Sequence, residues 1–223
     1  MRLRPATTLF AVVALLGVAT PGHAAEHHRA AGDTITTTLY AAIDNLPVAD
    51  ESREGYVRTA FRHWIDADKD GCDTRKEVLI AEALTAPVIG PRCALDGGTW
   101  LSLYDDLVVN DARGLDVDHL VPLAEAWDSG ASNWSAKERE QYANDLDEPR
   151  ALIAVSAKSN RSKADQDPAD WMPPAAHYAC RYVADWAAIK TRWGLSVDQR
   201  EADALHRIAD GCDDTALQVV LAR

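Results

Sequence analysis

Phenylalanine and methionine are nearly absent, two of each in 223 residues, so aromatic packing has to come from seven Trp and six Tyr. All seven Trp lie beyond residue 60. Basic residues are outnumbered, 23 Lys plus Arg against 35 Asp plus Glu, for a formal charge of −12. That balance argues against broad, nonspecific affinity for nucleic acid, which rests on Lys and Arg neutralising phosphates, so any such contact must be local. Beyond residue 19 there is no apolar run long enough to cross a bilayer. There is no Gly-x-Ser-x-Gly nucleophile turn and no Cys-x-x-Cys pair, which removes the usual signals of a serine hydrolase and of a zinc site. What remains, 47% apolar and 26% charged residues, is the composition of one globular domain.

The first residues, Met1-Arg2-Leu3-Arg4, precede an apolar run from Leu9 to Ala19 and then Pro21-Gly22-His23-Ala24-Ala25. A basic start, a short apolar stretch and small residues at a cleavage point make residues 1–24 a secretory signal peptide. The mature protein is then expected to be secreted, with no membrane contact and as a monomer. Its 21 basic and 35 acidic residues would give a charge of −14. Residues 25–32 read as a flexible mature N-terminus, and residues 33–223 as a single domain. In an exported chain, Cys72, Cys93, Cys180 and Cys212 form an even set suited to two disulfides. Pairing sequence neighbours closes the shorter loops, giving Cys72–Cys93 and Cys180–Cys212.

Periodicity predicts a helix from Asp33 through Leu46, and a second whose buried face carries Tyr56, Val57, Phe61, Trp64 and Ile65. A third is predicted from Thr74, with Glu77 completing a capping box. Short strands or turns follow Cys93, Leu115–Pro122 reads as a strand, and Ser135 with Glu138 caps a helix running through Tyr142. Ala151–Val155 is a short apolar strand leading into a helix over 157–165. Two C-terminal helices remain, one ending at Gly194 and one capped by Ser196 with Gln199. Trp127, the Ser129-Gly130 turn and Trp134 are expected to pack this region onto the core rather than to stack on bases.

Two stretches carry the chemistry. The first is Asp116-Val117-Asp118-His119-Leu120-Val121-Pro122; the second is Leu152-Ile153-Ala154-Val155-Ser156 followed by Ala157-Lys158-Ser159-Asn160-Arg161-Ser162-Lys163. In this order of strand, long loop, strand and helix, the chain resembles HNH endonucleases of the ββα-metal fold. Over residues 64–212 it is similar to secreted bacterial HNH endonuclease family proteins related to the GmrSD restriction nucleases. Hydrolysis of a phosphodiester needs an activated water and a cation near the phosphate. His119, with a pKa near neutrality, is the candidate general base, and Asp118 can hold the metal. The resemblance assigns the second metal ligand to Asn160. Two oxygen ligands that leave water in place suit Mg²⁺, with Mn²⁺ as a substitute. Residues 150–164 hold Arg150, Lys158, Arg161 and Lys163 and no acidic residue. Lys163, one turn from Asn160, and Arg161 are therefore expected at the phosphate. Asp116 is either a partner behind the metal ligands or a polar residue on an exposed strand face. The pattern departs from the family at Ala151, where its middle asparagine falls; Asn144 and Asp145 are the residues that can substitute.

Asp66, Asp68, Asp70 and Gly71, with Thr74 and Glu77 at the ninth and twelfth positions, follow the EF-hand loop pattern and could hold Ca²⁺. Asp73 at the eighth position, where such loops carry an apolar residue, and Cys72 at the seventh depart from it. The reading is therefore an α+β protein with a ββα motif at about 115–165 in a mainly helical domain. It acts as a secreted, metal-dependent endonuclease on nucleic acid, most naturally DNA, and by family analogy leaves 5′-phosphates. The alternative is a noncatalytic secreted protein that uses residues 66–77 to bind Ca²⁺ or a partner.

Overall fold

The computed structural model describes residues 30–223; the expected signal peptide and most of the expected flexible N-terminus lie outside the described residues. The first element is a strand, not the start of a helix: Thr34–Thr38 (β1) is antiparallel to Ala216–Val220, with Thr34 opposite Val220 and Thr38 opposite Ala216. Four threonines favour extended backbone, and the distant strand supplies the hydrogen bonds. Helix follows only over Leu39–Asp44 (α1), where the Thr38 hydroxyl accepts from Ala41 N.

The second predicted helix is also absent. Between α1 and residue 73 the only helical turn is a 3₁₀ turn at Arg58–Ala60, and Trp64 sits at φ +59°, a left-handed conformation that stops a helix. Without a helix to set one face, Val57 points outward instead of joining the expected buried face, while its aromatic neighbours turn inward. Phe61 is fully buried, in edge contact with Trp127 and Tyr142.

Thr74–Ala81 (α2) forms as predicted, capped one residue earlier than expected: the Asp73 carboxylate accepts from Lys76 N. Two small hairpins follow, Val88–Gly90 (β2) with Ala94–Asp96 (β3) and Trp100–Ser102 (β4) with Leu107–Val109 (β5). Next come Leu115–His119 (β6), Leu123–Asp128 (α3) and Ala136–Ala143 (α4), the last with the predicted Ser135–Glu138 capping box. Leu152–Ser156 (β7) pairs antiparallel with β6, placing Leu152 opposite His119 and Val155 opposite Asp116, and Ala157–Lys163 (α5) leaves directly from it. Ala179–Trp193 (α6) ends at Gly194 in the left-handed conformation. Gln199–Ala209 (α7) is capped by Asp198 rather than Ser196, and Ala216–Val220 is β8.

The mixed α+β architecture thus contains only two-stranded sheets, among the described residues, with helices filling the core. Helix α6 lies at its centre and packs on α1, α7 and β8. It buries Tyr182, Trp186, Ile189 and Trp193, each contributing about 1.5–3 kcal/mol. The expected disulfides form. Cys72–Cys93 ties the start of α2 to the first hairpin, and Cys180–Cys212 ties α6 to the end of α7. Among the described residues no helix is long and apolar enough to cross a membrane.

Candidate active site

Strand β6 and helix α5 meet a third wall, the 3₁₀ turn at residue 58, around a cleft of about 250 Å³. Arg58, Asp118, His119, Asn160, Arg161 and Asp165 line it. Four of these were expected from the sequence; Arg58 and Asp165 were not.

His119 is buried, and its Nε2 lies 3.0 Å from the carbonyl oxygen of Ala143 at the end of α4. A carbonyl only accepts, so Nε2 carries the proton and the neutral ring keeps a bare lone pair on Nδ1. Trp64 stacks on the ring at 5.3 Å between centroids, and Tyr142 stacks at 6.5 Å. Burial, aided by the positive charges of Arg58 and Lys163, lowers the His119 pKa to about 3 against the pull of the Ala143 carbonyl, well below the near-neutral value expected from the sequence. The imidazole is therefore neutral at physiological pH.

The carbonyl that fixes His119 is itself held through Asn144. Its side-chain oxygen accepts from Ile65 N at 3.1 Å and Thr74 Oγ1 at 2.8 Å, and its amide donates to Arg62 O and Glu140 O. Asn144 thus ties the end of α4 to residues 62, 65 and 74. Ala151 is buried and bonds through its backbone alone, its carbonyl accepting from Leu120 N and its N–H donating to Glu148 O. Asp145 is committed elsewhere, in an ion pair with Arg192 at 2.7 Å.

Asp118 is buried with two partners: Tyr104 Oη donates at 2.6 Å and Lys163 Nζ at 2.7 Å, both to Oδ2, leaving Oδ1 for the cleft. Lys163 thus occupies a different place from the phosphate contact expected of it. It does share a helix face with Asn160 at one-turn spacing, but α5 turns that part of the face into the core. The ammonium is fully buried and also donates to His119 O at 3.0 Å. Burial raises the Asp118 pKa and lowers that of Lys163, and each charge opposes the shift of the other.

Asn160 is half-buried, and its Nδ2 donates to Asp116 Oδ2 at 3.3 Å. That bond turns the amide oxygen away from Asp116, so Asp116 orients Asn160. Arg161 is exposed, its Nε 3.5 Å from the same Asp116 oxygen. The oxygens left over at Asp118 and Asn160 are hard donors of the kind a small divalent cation takes.

The acidic loop is separate. Asp66, Asp68 and Asp70 gather their carboxylates within 4.8 Å, and Glu77 reaches Asp70 and Cys72 within the same span. Cys72 is locked in its disulfide, and Thr74 turns its hydroxyl to Asn144 and Ile65 O. Trp134 is buried against Tyr142 and Trp193, and Trp127 packs on Phe61; both serve the core, as expected.

The sequence model of the GmrSD restriction endonucleases, C-terminal domain, matches residues 92–208, a span that contains Asp118, His119, Asn160 and Lys163. A protein of the fungus Arthroderma benhamiae, described as an uncharacterized secreted protein, is 38% identical over 177 residues, covering 79% of this chain and 85% of its own. The likeness is therefore not confined to bacteria. No solved structure matches. With more than half of its length inside that span, the chain belongs to the family of GmrSD restriction endonuclease C-terminal domains.

Proposed function

We propose that this protein is a secreted, metal-dependent endonuclease of the HNH type, hydrolysing phosphodiester bonds of nucleic acid, most naturally DNA. The family makes it nuclease-like; the finer reading rests on the cleft. The single observation that carries it is His119, whose Nε2–H is spent on Ala143 O and whose other ring nitrogen is free in a cleft shared with Asp118 and Asn160. A neutral imidazole held in one tautomer can take a proton from water as that water attacks phosphorus.

Asp118 and Asn160 are the residues that would hold a divalent cation, Mg²⁺ or Mn²⁺, which when bound would offset charge on the phosphate and the leaving oxygen. Tyr104 and Lys163 keep the Asp118 carboxylate in one orientation, and Asp116 does the same for the Asn160 amide. Arg161, on the rim, is placed to meet a flanking phosphate. Two disulfides and the secreted relative support action outside the cell.

The test is nicking of supercoiled plasmid by purified protein with Mg²⁺, with EDTA, and with His119→Ala. Metal-dependent nicking that falls by about 10²–10⁴-fold in the folded variant is expected. A folded variant that nicks as fast as the wild type would remove His119 as the base. Equal inertness of both proteins would return the acidic loop to first place.

A further inference from the structure

We propose that Arg58 is a further catalytic residue of this site, a guanidinium that grips the scissile phosphate from the wall facing α5. The inference rests on the nuclease reading and adds a residue to it from outside the family-matched span, which begins at residue 92.

Two arginines line the cleft, and they differ. Arg161 leans on the Asp116 carboxylate. Arg58 forms no ion pair with any carboxylate of the described residues, whereas its neighbours Arg53 and Arg62 are tied to Asp128 and Glu140. Arg207, on the exposed face of α7, also has no acidic partner among the described residues, so what sets Arg58 apart is its place in the cleft wall with His119, Asp118 and Asn160.

The backbone that carries it is fixed. Phe61 N donates to Arg58 O at 3.2 Å and Arg139 Nε donates to Ala60 O at 3.2 Å, while Phe61 is sunk among Tyr56, Trp127 and Tyr142. An arginine projecting from an anchored turn offers a planar fork that fits two oxygens of one phosphate, and it holds its charge at any working pH. Charge grows on the non-bridging oxygens as water adds to phosphorus. A donor already in place there stabilises the transition state more than the bound substrate.

The experiment measures kcat and KM for cleavage of a labelled DNA duplex and a single-stranded RNA in Mg²⁺. It uses the full chain as wild type, Arg58→Ala, Arg58→Lys and, as a charge-matched control, Arg207→Ala on the exposed face of α7. Arg58→Ala is expected to lower kcat about 10²-fold with a smaller change in KM, and Arg58→Lys to recover part of the loss. The salt dependence of binding should become shallower by about one unit for Arg58→Ala. Arg207→Ala should behave as wild type. If Arg58→Ala matches Arg207→Ala in an active enzyme, the assignment is overturned while the nuclease stands. A wild type inert on both substrates overturns both. Thermal melts, unchanged for Arg58→Ala, separate a lost contact from a lost fold.

Discussion

Two lysines of this protein are fully buried, and they live differently. Lys190, in α6, is surrounded: Glu125 at 2.7 Å, Glu201 at 2.6 Å, Ser129 Oγ at 2.9 Å and the Ser196 carbonyl at 2.8 Å. Burial pulls its pKa down, yet the two glutamates outweigh it and leave the lysine above its ordinary value. Lys163, in α5, has one carboxylate and one carbonyl, and burial prevails. The first ammonium has more acceptors than protons and is closed to anything else. The second supports a carboxylate whose other oxygen is left for a cleft. A buried charge surrounded by acceptors joins elements of the fold; one with a single acidic partner at a cavity edge sets up a site.

Removing the enclosed lysine should have the largest effect. Lys190→Met leaves Glu125 and Glu201 buried without a counter-charge, and urea denaturation should show a loss of about 3–5 kcal/mol. Cleavage per folded molecule should not change; a fall there would mean that the α6 cluster reaches the cleft. Lys163→Met should act in the other direction, on the site more than on the fold. Asp118 loses what keeps it charged and oriented, so Mn²⁺ affinity by calorimetry and nicking activity should both fall about 10–100-fold. A variant that binds Mn²⁺ as well as wild type would make Lys163 structural, like Lys190.

The smallest effect concerns pH. Burial and the repulsion of Glu125 raise Glu51 to about 8, and burial against the attraction of Lys190 leaves Glu201 also at about 8. In the unfolded chain such carboxyls ionise near 4.5, so across that window the folded state binds more protons and stability falls as pH rises. Melting temperature should therefore decline from pH 5 to pH 9, and Glu51→Gln should flatten the decline. An unchanged slope in that variant would free Glu51 from the cluster.

Local signals were legible where local forces decide. The Ser135–Glu138 box, the apolar period of α6 with its glycine stop, the strands of β6 and β7, and both disulfides all follow from neighbours in sequence. The first helix was misread because Ile35 and Leu39 have helical spacing, while the partner that makes residues 34–38 a strand is β8, far along the chain. Helix α3 went unseen because Leu123, Ala124, Glu125 and Ala126 are all buried, so no polar face marks its period. At the site, Asp118, His119, Asn160 and Arg161 do share one cleft. Lys163 was misplaced because spacing tells which face a residue shares and not whether that face meets solvent. Tyr104, Arg58 and the Ala143 carbonyl could not have been found by motif: two arrive through tertiary packing and the third is backbone.

The pairing of β1 with β8 also bears on how the molecule comes to exist. A chain made from its N-terminus presents Thr34–Thr38 early and must wait for Ala216–Val220 before those backbone groups find their partners. Closure of that sheet joins residues almost at opposite ends of the described chain, so a growing or translocating chain can complete it only late. The cleft between β6 and α5 uses only residues already made by then, and can assemble before the ends of the domain meet.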